Sequence, residues 1–256
     1  SISVNYDANY PDPPAIDSIN PADTVGIDLG ITKFIHDSTG RAVLPLDEEQ
    51  DRRRIEKRHR AVSRKEYESS NWDKSRQQLA KSYARLTNRR DDFMEKLAHD
   101  YTTAYDAVFL ENLDVAGMLR EFGNARNIAS MSWRRTINAF QRQGNKNGCH
   151  VVLVAPEGTT KRCANCQVET DKPLWVREHS CPACGFETDR DMNSALEIKR
   201  LGLEKLGIDF DRSDLGQGLS EGTPAGDATA VSTDGSGCSA SRVVDASCVV
   251  ETGRSP

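Results

Sequence analysis

The chain has 256 residues, 37% of them apolar, and a mean hydropathy of −0.63, enough for one to two polar domains with a real core. No run approaches the roughly 18 apolar residues of a membrane span, and residues 1–20 lack the basic start and apolar stretch of a secretory signal. The net charge of −5 hides a segregation, with −7 over residues 1–50, +7 over 51–200 and −5 over 201–256, so a basic middle suited to a polyanion lies between acidic ends.

Residues 1–20, rich in Pro and Asp, are expected to be extended. In TVGIDLGITKFIHDSTGRAV (24–43), Val25 and Ile27 alternate with other residues, Gly30 breaks the run, Ile31 to Ile35 resumes it and Ser38-Thr39-Gly40 turns. That pattern predicts a hairpin. Residues 47–105 read as helical. Leu79, Tyr83, Leu86, Phe93 and Leu97 make one apolar stripe, and Ser69-Ser70-Asn71 breaks and caps the run before Trp72, which gives two helices. The first is charged almost all round. Its Arg52, Arg53, Arg54, Lys57, Arg58 and Arg60 fit either a solvated helix laced with ion pairs or a surface that tracks phosphates.

AVFLENLDV (107–115) predicts a short buried strand ending at Glu111, and ASMSWRRTINAFQRQGNKNG (129–148) a helix carrying Trp133, Ile137 and Phe140. VVLVAP (151–156) is a β-branched strand closed by Pro156. Asn193 to Leu206 is a helix stopped near Gly207. From residue 208 the composition predicts a disordered acidic tail. Strands and helices in this order give an α/β fold with a mixed sheet: a core over 21–157, an insert over 158–188 and a last core helix over 189–207.

The insert carries the most specific signal. Cys163-Ala-Asn-Cys166 and Cys181-Pro-Ala-Cys184 can each close a tight knuckle, and two knuckles complete a tetrahedral four-thiolate site suited to Zn²⁺. Such a closed site folds a segment rather than catalysing. Four of seven cysteines used this way fit a reducing, cytoplasmic setting. His179, two residues before Cys181, reads as a surface histidine.

Three acids stand at strand or helix ends: Asp28 inside an apolar strand, Glu111 after Val108-Phe109-Leu110, and Asp191 at a helix start. Each alone has a plain structural reading as a turn acid, a strand-end residue or an N-cap. Brought to one sheet edge, three carboxylates can hold two divalent ions, Mg²⁺ or Mn²⁺, for phosphodiester hydrolysis.

These stretches resemble the TnpB (OrfB-type) family of transposon-encoded, RNA-guided DNA endonucleases, related to the type V CRISPR effectors. The likeness rests on Gly26-Ile27-Asp28-Leu29-Gly30, Phe109-Leu110-Glu111-Asn112-Leu113, and Gly158 to Cys166 (GTTKRCANC). It extends through Cys181-Pro182-Ala183-Cys184-Gly185 to Asp189-Arg190-Asp191-Met192-Asn193-Ser194-Ala195. The segment around Asn71-Trp72-Asp73-Lys74-Ser75-Arg76 is similar to the family's basic helical hairpin. The resemblance implies a RuvC-like, RNase H-type fold with a helical hairpin and a zinc ribbon inserted. It makes Asp28, Glu111 and Asp191 the catalytic triad, with Asp189 the rival for the third position. It implies DNA and a guide RNA as partners, with Lys74 and Arg76 joining the arginines as nucleic-acid contacts. Family members of full length carry a large region before the first acid, whereas 27 residues precede Asp28 here, so the expectation is an N-terminally short copy. The alternatives are a non-cleaving remnant that binds DNA or RNA, and a strand-transferring transposase.

Overall fold

The computed structural model describes residues 9–114, 132–156, 158–170, 176–215 and 228–229. Strand β1 (Thr24–Leu29) is central to the main sheet. On one side β2 (Ile35–Asp37) and then β3 (Ala42–Val43) follow antiparallel. On the other, β4 (Ala107–Glu111) and β5 (His150–Val154) run parallel to β1. A separate antiparallel pair, β6 (Glu178–Ser180) and β7 (Glu187–Asp189), lies in the cysteine insert. A two-residue strand, β8 (Ala228–Thr229), joins β3 in parallel, so the main sheet is mixed and ordered β5-β4-β1-β2-β3-β8.

The expected hairpin is a three-strand meander. Residues 31–34 bend instead of extending: Gly30 N–H donates to the Phe34 carbonyl at 3.3 Å, Phe34 N–H donates to that of Val43 at 2.7 Å, and Ile31 is turned outward. The predicted turn stands between β2 and β3. There the Asp37 carboxylate accepts from Thr39 N–H at 2.9 Å, Thr39 O–H at 2.6 Å and Arg41 N–H at 3.0 Å, and Gly40 takes a φ of 91°.

Helix α1 (Glu49–Ser63) and helix α2 (Ser70–Ala104) form the predicted pair, and Ser69 caps α2 by accepting from Trp72 N–H. Of the expected stripe, Leu86, Phe93 and Leu97 are buried. Tyr83 is 46% exposed, on the outer half of α2 that among the described residues packs against α1, and its hydroxyl lies 2.6 Å from the His59 ring nitrogen. The α1 start is fixed to α2 by Arg90, which grips Glu48 with two hydrogen bonds of 2.5 and 2.6 Å, and by an Arg89–Asp51 pair. Helix α3 (Trp133–Asn147) buries Trp133, Ile137 and Phe140 and stops at Gly148 (φ 68°); residues 129–131 of its predicted span lie outside the described ones.

Helix α4 (Arg190–Leu206) starts three residues before the expected Asn193 and ends at Gly207 (φ 74°). Alternation along the strands divides the sheet's two faces. Val25, Ile27, Leu29, Val108 and Leu110 pack with Phe93, Leu97 and Tyr101 of α2 and with Ile137 and Phe140 of α3. Ala107 and Phe109 pack with Leu196, Ile198 and Leu203 of α4. Gly26 permits the α4 approach, since a Cβ there would stand 2.2 Å from the Ala195 carbonyl oxygen.

The tail expected to be disordered from residue 208 begins with packed structure. Arg212–Leu215 form a 3-10 turn, Leu215 is buried, and Lys199 Nζ donates to the Asp214 carbonyl at 2.7 Å. An apolar side chain and a buried ammonium both gain a partner there. The remainder of that tail, β8 apart, lies outside the described residues, as do Cys238 and Cys248.

Candidate functional site

Register brings two of the predicted acids together. Ile27 pairs with Leu110 in the parallel β1–β4 ladder, so Asp28 and Glu111 stand one step further on, on adjacent strands about 4.8 Å apart. Both face α4. Asp28 shares its side of β1 with Gly26, which abuts Ala195 and Lys199. Glu111 shares its side of β4 with Phe109, whose ring a Cβ on Gly202 would meet at 2.1 Å. Asp191, one helical turn before Ala195, projects from the end of α4 nearest those strand ends.

The electrostatics report the same neighbourhood. Burial holds the Asp28 carboxyl well above the usual carboxylate range, and the charges of Glu111 and Asp191 push it further, with Arg190 opposing. Burial likewise raises Glu111, against a 2.5 Å hydrogen bond donated by the Thr159 hydroxyl to its Oε1. Arg177 and Arg190 lie 3.6 and 3.4 Å from Asp191 Oδ1. Asp189, the rival third acid, is the α4 cap: its Oδ1 accepts from the N–H groups of Asp191 and Met192 at 2.9 and 3.4 Å. Asp191 therefore does not cap the helix.

Carboxylate oxygens are the donor type a hard divalent cation takes. The three carboxylates are not drawn into one tight cluster. Among the described residues, the four thiols make the group whose ligand atoms all lie within 4.8 Å of one another.

Each cysteine knuckle closes through a left-handed residue just after its second cysteine, Gln167 at φ 66° and Gly185 at φ 73°. Gln167 N–H returns to the Cys163 carbonyl at 2.7 Å and Gly185 N–H to that of Cys181 at 2.9 Å. Across the knuckles Cys163 Sγ lies 3.8 Å from Cys184 Sγ, and Cys166 Sγ 3.4 Å from Cys181 Sγ. A tetrahedron with 2.3 Å metal–sulfur bonds has edges of about 3.8 Å, so the sulfurs fit one zinc ion. His179, read as a surface residue, is buried instead, its ring 6.1 Å from that of Phe186. The insert is small, and any ring between its hairpin and its knuckles becomes part of its core.

The predicted basic contacts divide. Arg52, Arg53 and Arg54 pair with Glu48, Glu49 and Asp51. Lys57, Arg58 and Arg60 are exposed on the same helix, as is Lys74 on α2. Arg76 is exposed too, lying over the Trp72 ring at 5.4 Å and 3.8 Å from Asp73. Two residues beside the acids carried no readable signal. His36 stands opposite Asp28 in the β1–β2 ladder, buried, with its Nδ1 lacking a hydrogen-bond partner among the described residues. Thr159 lies within the GTTKRCANC stretch, but only folding shows that it reaches Glu111.

Fold and site together define a mixed α/β protein with an acidic sheet edge beside a cluster of four thiols that could hold a metal. Residues 5–121 match the OrfB/IS605 family model, described as a probable transposase, and residues 133–198 match the Cas12f1-like TNB domain. A Streptomyces pristinaespiralis protein named "Putative RNA-guided DNA endonuclease" is 36% identical over 73% of this chain and 48% of its own length. TnpB-like protein L79 of Acanthamoeba polyphaga mimivirus is 26% identical over 70% of this chain and 37% of its own. The protein chain of a CRISPR-Cas12f ternary complex covers 78% of this chain and 41% of its own at 20% identity, with a TM-score of 0.47. The chain belongs to the OrfB-type, or TnpB, family. It spans about half or less of the length of these relatives.

Proposed function

We propose that the chain is the nuclease part of a metal-dependent DNA endonuclease. In this reading the mixed sheet is a RuvC-like, RNase H-type core, Asp28, Glu111 and Asp191 hold Mg²⁺ or Mn²⁺, and the insert is a zinc ribbon. The observation that carries the proposal is Asp28: a carboxyl inside the central strand, facing α4, pressed by two further acids. Structural economy alone would put an apolar residue there.

Two divalent ions bound by these acids would activate water and stabilise the leaving oxygen of a phosphodiester. The chain's own residues prepare that site. Thr159 holds one oxygen of Glu111 and fixes its rotamer. Asp189 takes the capping duty, which frees the Asp191 carboxylate to face Asp28. Arg177 and Arg190 lean on Asp191 and would meet a phosphate drawn to the same edge. Lys57, Arg58, Arg60, Lys74 and Arg76 give an exposed basic surface for a nucleic-acid backbone. Relatives named as RNA-guided DNA endonucleases support DNA as substrate and a guide RNA as partner.

The test is cleavage of single-stranded DNA by the zinc-loaded chain with Mg²⁺ or Mn²⁺. Wild type should cut, and Asp28→Ala should fall by at least about a hundredfold. Equal cutting by wild type and the triple alanine variant would overturn the proposal. Salt-dependent binding without cutting would favour a binding remnant.

A further inference from the structure

Asn193 lies two residues beyond Asp191 on α4 and is fully buried. Its carboxamide grips the first knuckle on both sides of Cys163. The Oδ1 accepts from Ala164 N–H at 3.0 Å, and the Nδ2 donates to the Arg162 carbonyl at 2.8 Å. The side chain thus pairs with the backbone around a thiol ligand much as a neighbouring peptide would. The bond to Ala164 is buried and that to Arg162 part-buried, so water competes poorly for the pair and knuckle and helix are held together.

A second tie lies one turn on. Glu197, also fully buried, accepts two hydrogen bonds from Arg200 at 2.6 and 2.7 Å and stands 3.7 Å from the guanidinium of Arg162. The first turn of α4 is therefore tethered to the Arg162–Ala164 backbone, while the Asp189 cap holds the helix's own N–H groups and stands 3.7 Å from Lys33 Nζ.

We infer that Asn193 is a positioning residue coupling the cysteine cluster to the acid site, so that metal loading of the thiols sets the divalent-ion affinity at Asp28, Glu111 and Asp191. Closure of the four thiols fixes the Cys163 backbone, Asn193 passes that position to α4, and the first turn of α4 carries Asp191. The inference rests on the acid-site reading above.

The experiment is a calorimetric Mn²⁺ titration of the zinc-loaded chain in wild type, Asp28→Ala and Asn193→Ala, with zinc content and melting temperature measured alongside. Wild type should bind Mn²⁺ and Asp28→Ala should not. Asn193→Ala should keep its zinc while its Mn²⁺ affinity falls about tenfold or more, as for the loss of a residue that orients a ligand. A merely structural role would lower the melting temperature and leave the affinity alone. Asn193→Ala with zinc retained and an unchanged Mn²⁺ affinity overturns the coupling. Wild-type binding that ignores Asp28→Ala overturns the acid-site reading itself, and the coupling with it. Should Asn193→Ala fail to fold, zinc-stripped wild type gives the same decision: weakened Mn²⁺ binding supports the coupling and unchanged binding overturns it.

Discussion

Asp28 costs the metal-free fold stability, and pH reveals the sign. Folding raises its pKa above the ordinary value of about 3.9. Below that value the group is protonated in both states and imposes no penalty. As pH climbs through the window up to the raised folded value, the unfolded chain releases its proton first, and stability falls until the folded carboxyl ionises too. Asp28→Asn should therefore raise the melting temperature at pH 7, by about 2–4 °C for each kcal/mol relieved, and flatten its dependence on pH above 4. Added Mg²⁺ should raise the melting temperature of wild type and not that of Asp28→Asn. Thermal melts from pH 4 to 8 check both. The acid was legible in the sequence because a carboxyl between Ile27 and Leu29 contradicts the apolar run around it. His36 and Thr159 were not. The first is a neighbour only through the β1–β2 register and the second only through a turn that brings residue 159 back to Glu111.

At the level of elements, the α4 packing on β1 and β4 decides whether the acids meet. Gly26→Ala would drive a methyl into the Ala195 carbonyl and into Lys199, both backbone-anchored neighbours that cannot swing aside. We expect a loss of about 1–3 kcal/mol or more in denaturant unfolding, together with weakened divalent binding, because α4 must back away from the strand that carries Asp28. The α4 start shows how local signals compete. Asp189 and Asp191 are both good caps in type, and nothing between them in the sequence chooses. The choice is made by β7, which runs to Asp189 and leaves that residue extended (ψ 141°) just where the helix begins. The meander is a similar case. Ile31 to Ile35 has strand composition, yet the Gly30–Phe34 hydrogen bond closes a bend there that the pairing of Phe34 with Val43 holds in place. The long helices were legible because their period and the Ser69 cap are local. The fate of Tyr83 depended on how far α1 and the core reach along α2.

For the whole molecule, the order of elements carried most of the fold: a strand pair, two helices, a strand, a helix, a strand, a cysteine insert and a last helix give a mixed sheet with α2 and α3 on one face and α4 on the other. The insert was readable because its cysteine spacing is local and specific to metal knuckles. What composition did not convey was the return of residues 208–215 onto the core through Leu215 and the Lys199–Asp214 contact, since a few apolar residues in a polar stretch look like noise until they find a pocket. The insert has few large apolar residues, so a metal held by its four thiols should be what keeps it folded. Chelation should release about one zinc per chain and strip hydrogen-exchange protection from the insert, while β1 and β4 keep theirs; protection unchanged throughout would contradict a zinc-dependent insert. The central claim is that Asp28, Glu111 and Asp191 form one divalent-ion site. Its most direct test is a crystal of the zinc-loaded chain soaked in Mn²⁺ and measured for manganese anomalous scattering. The account predicts manganese between Asp28 and Glu111, with Asp191 completing the site; well-ordered acids with no manganese among them would contradict it.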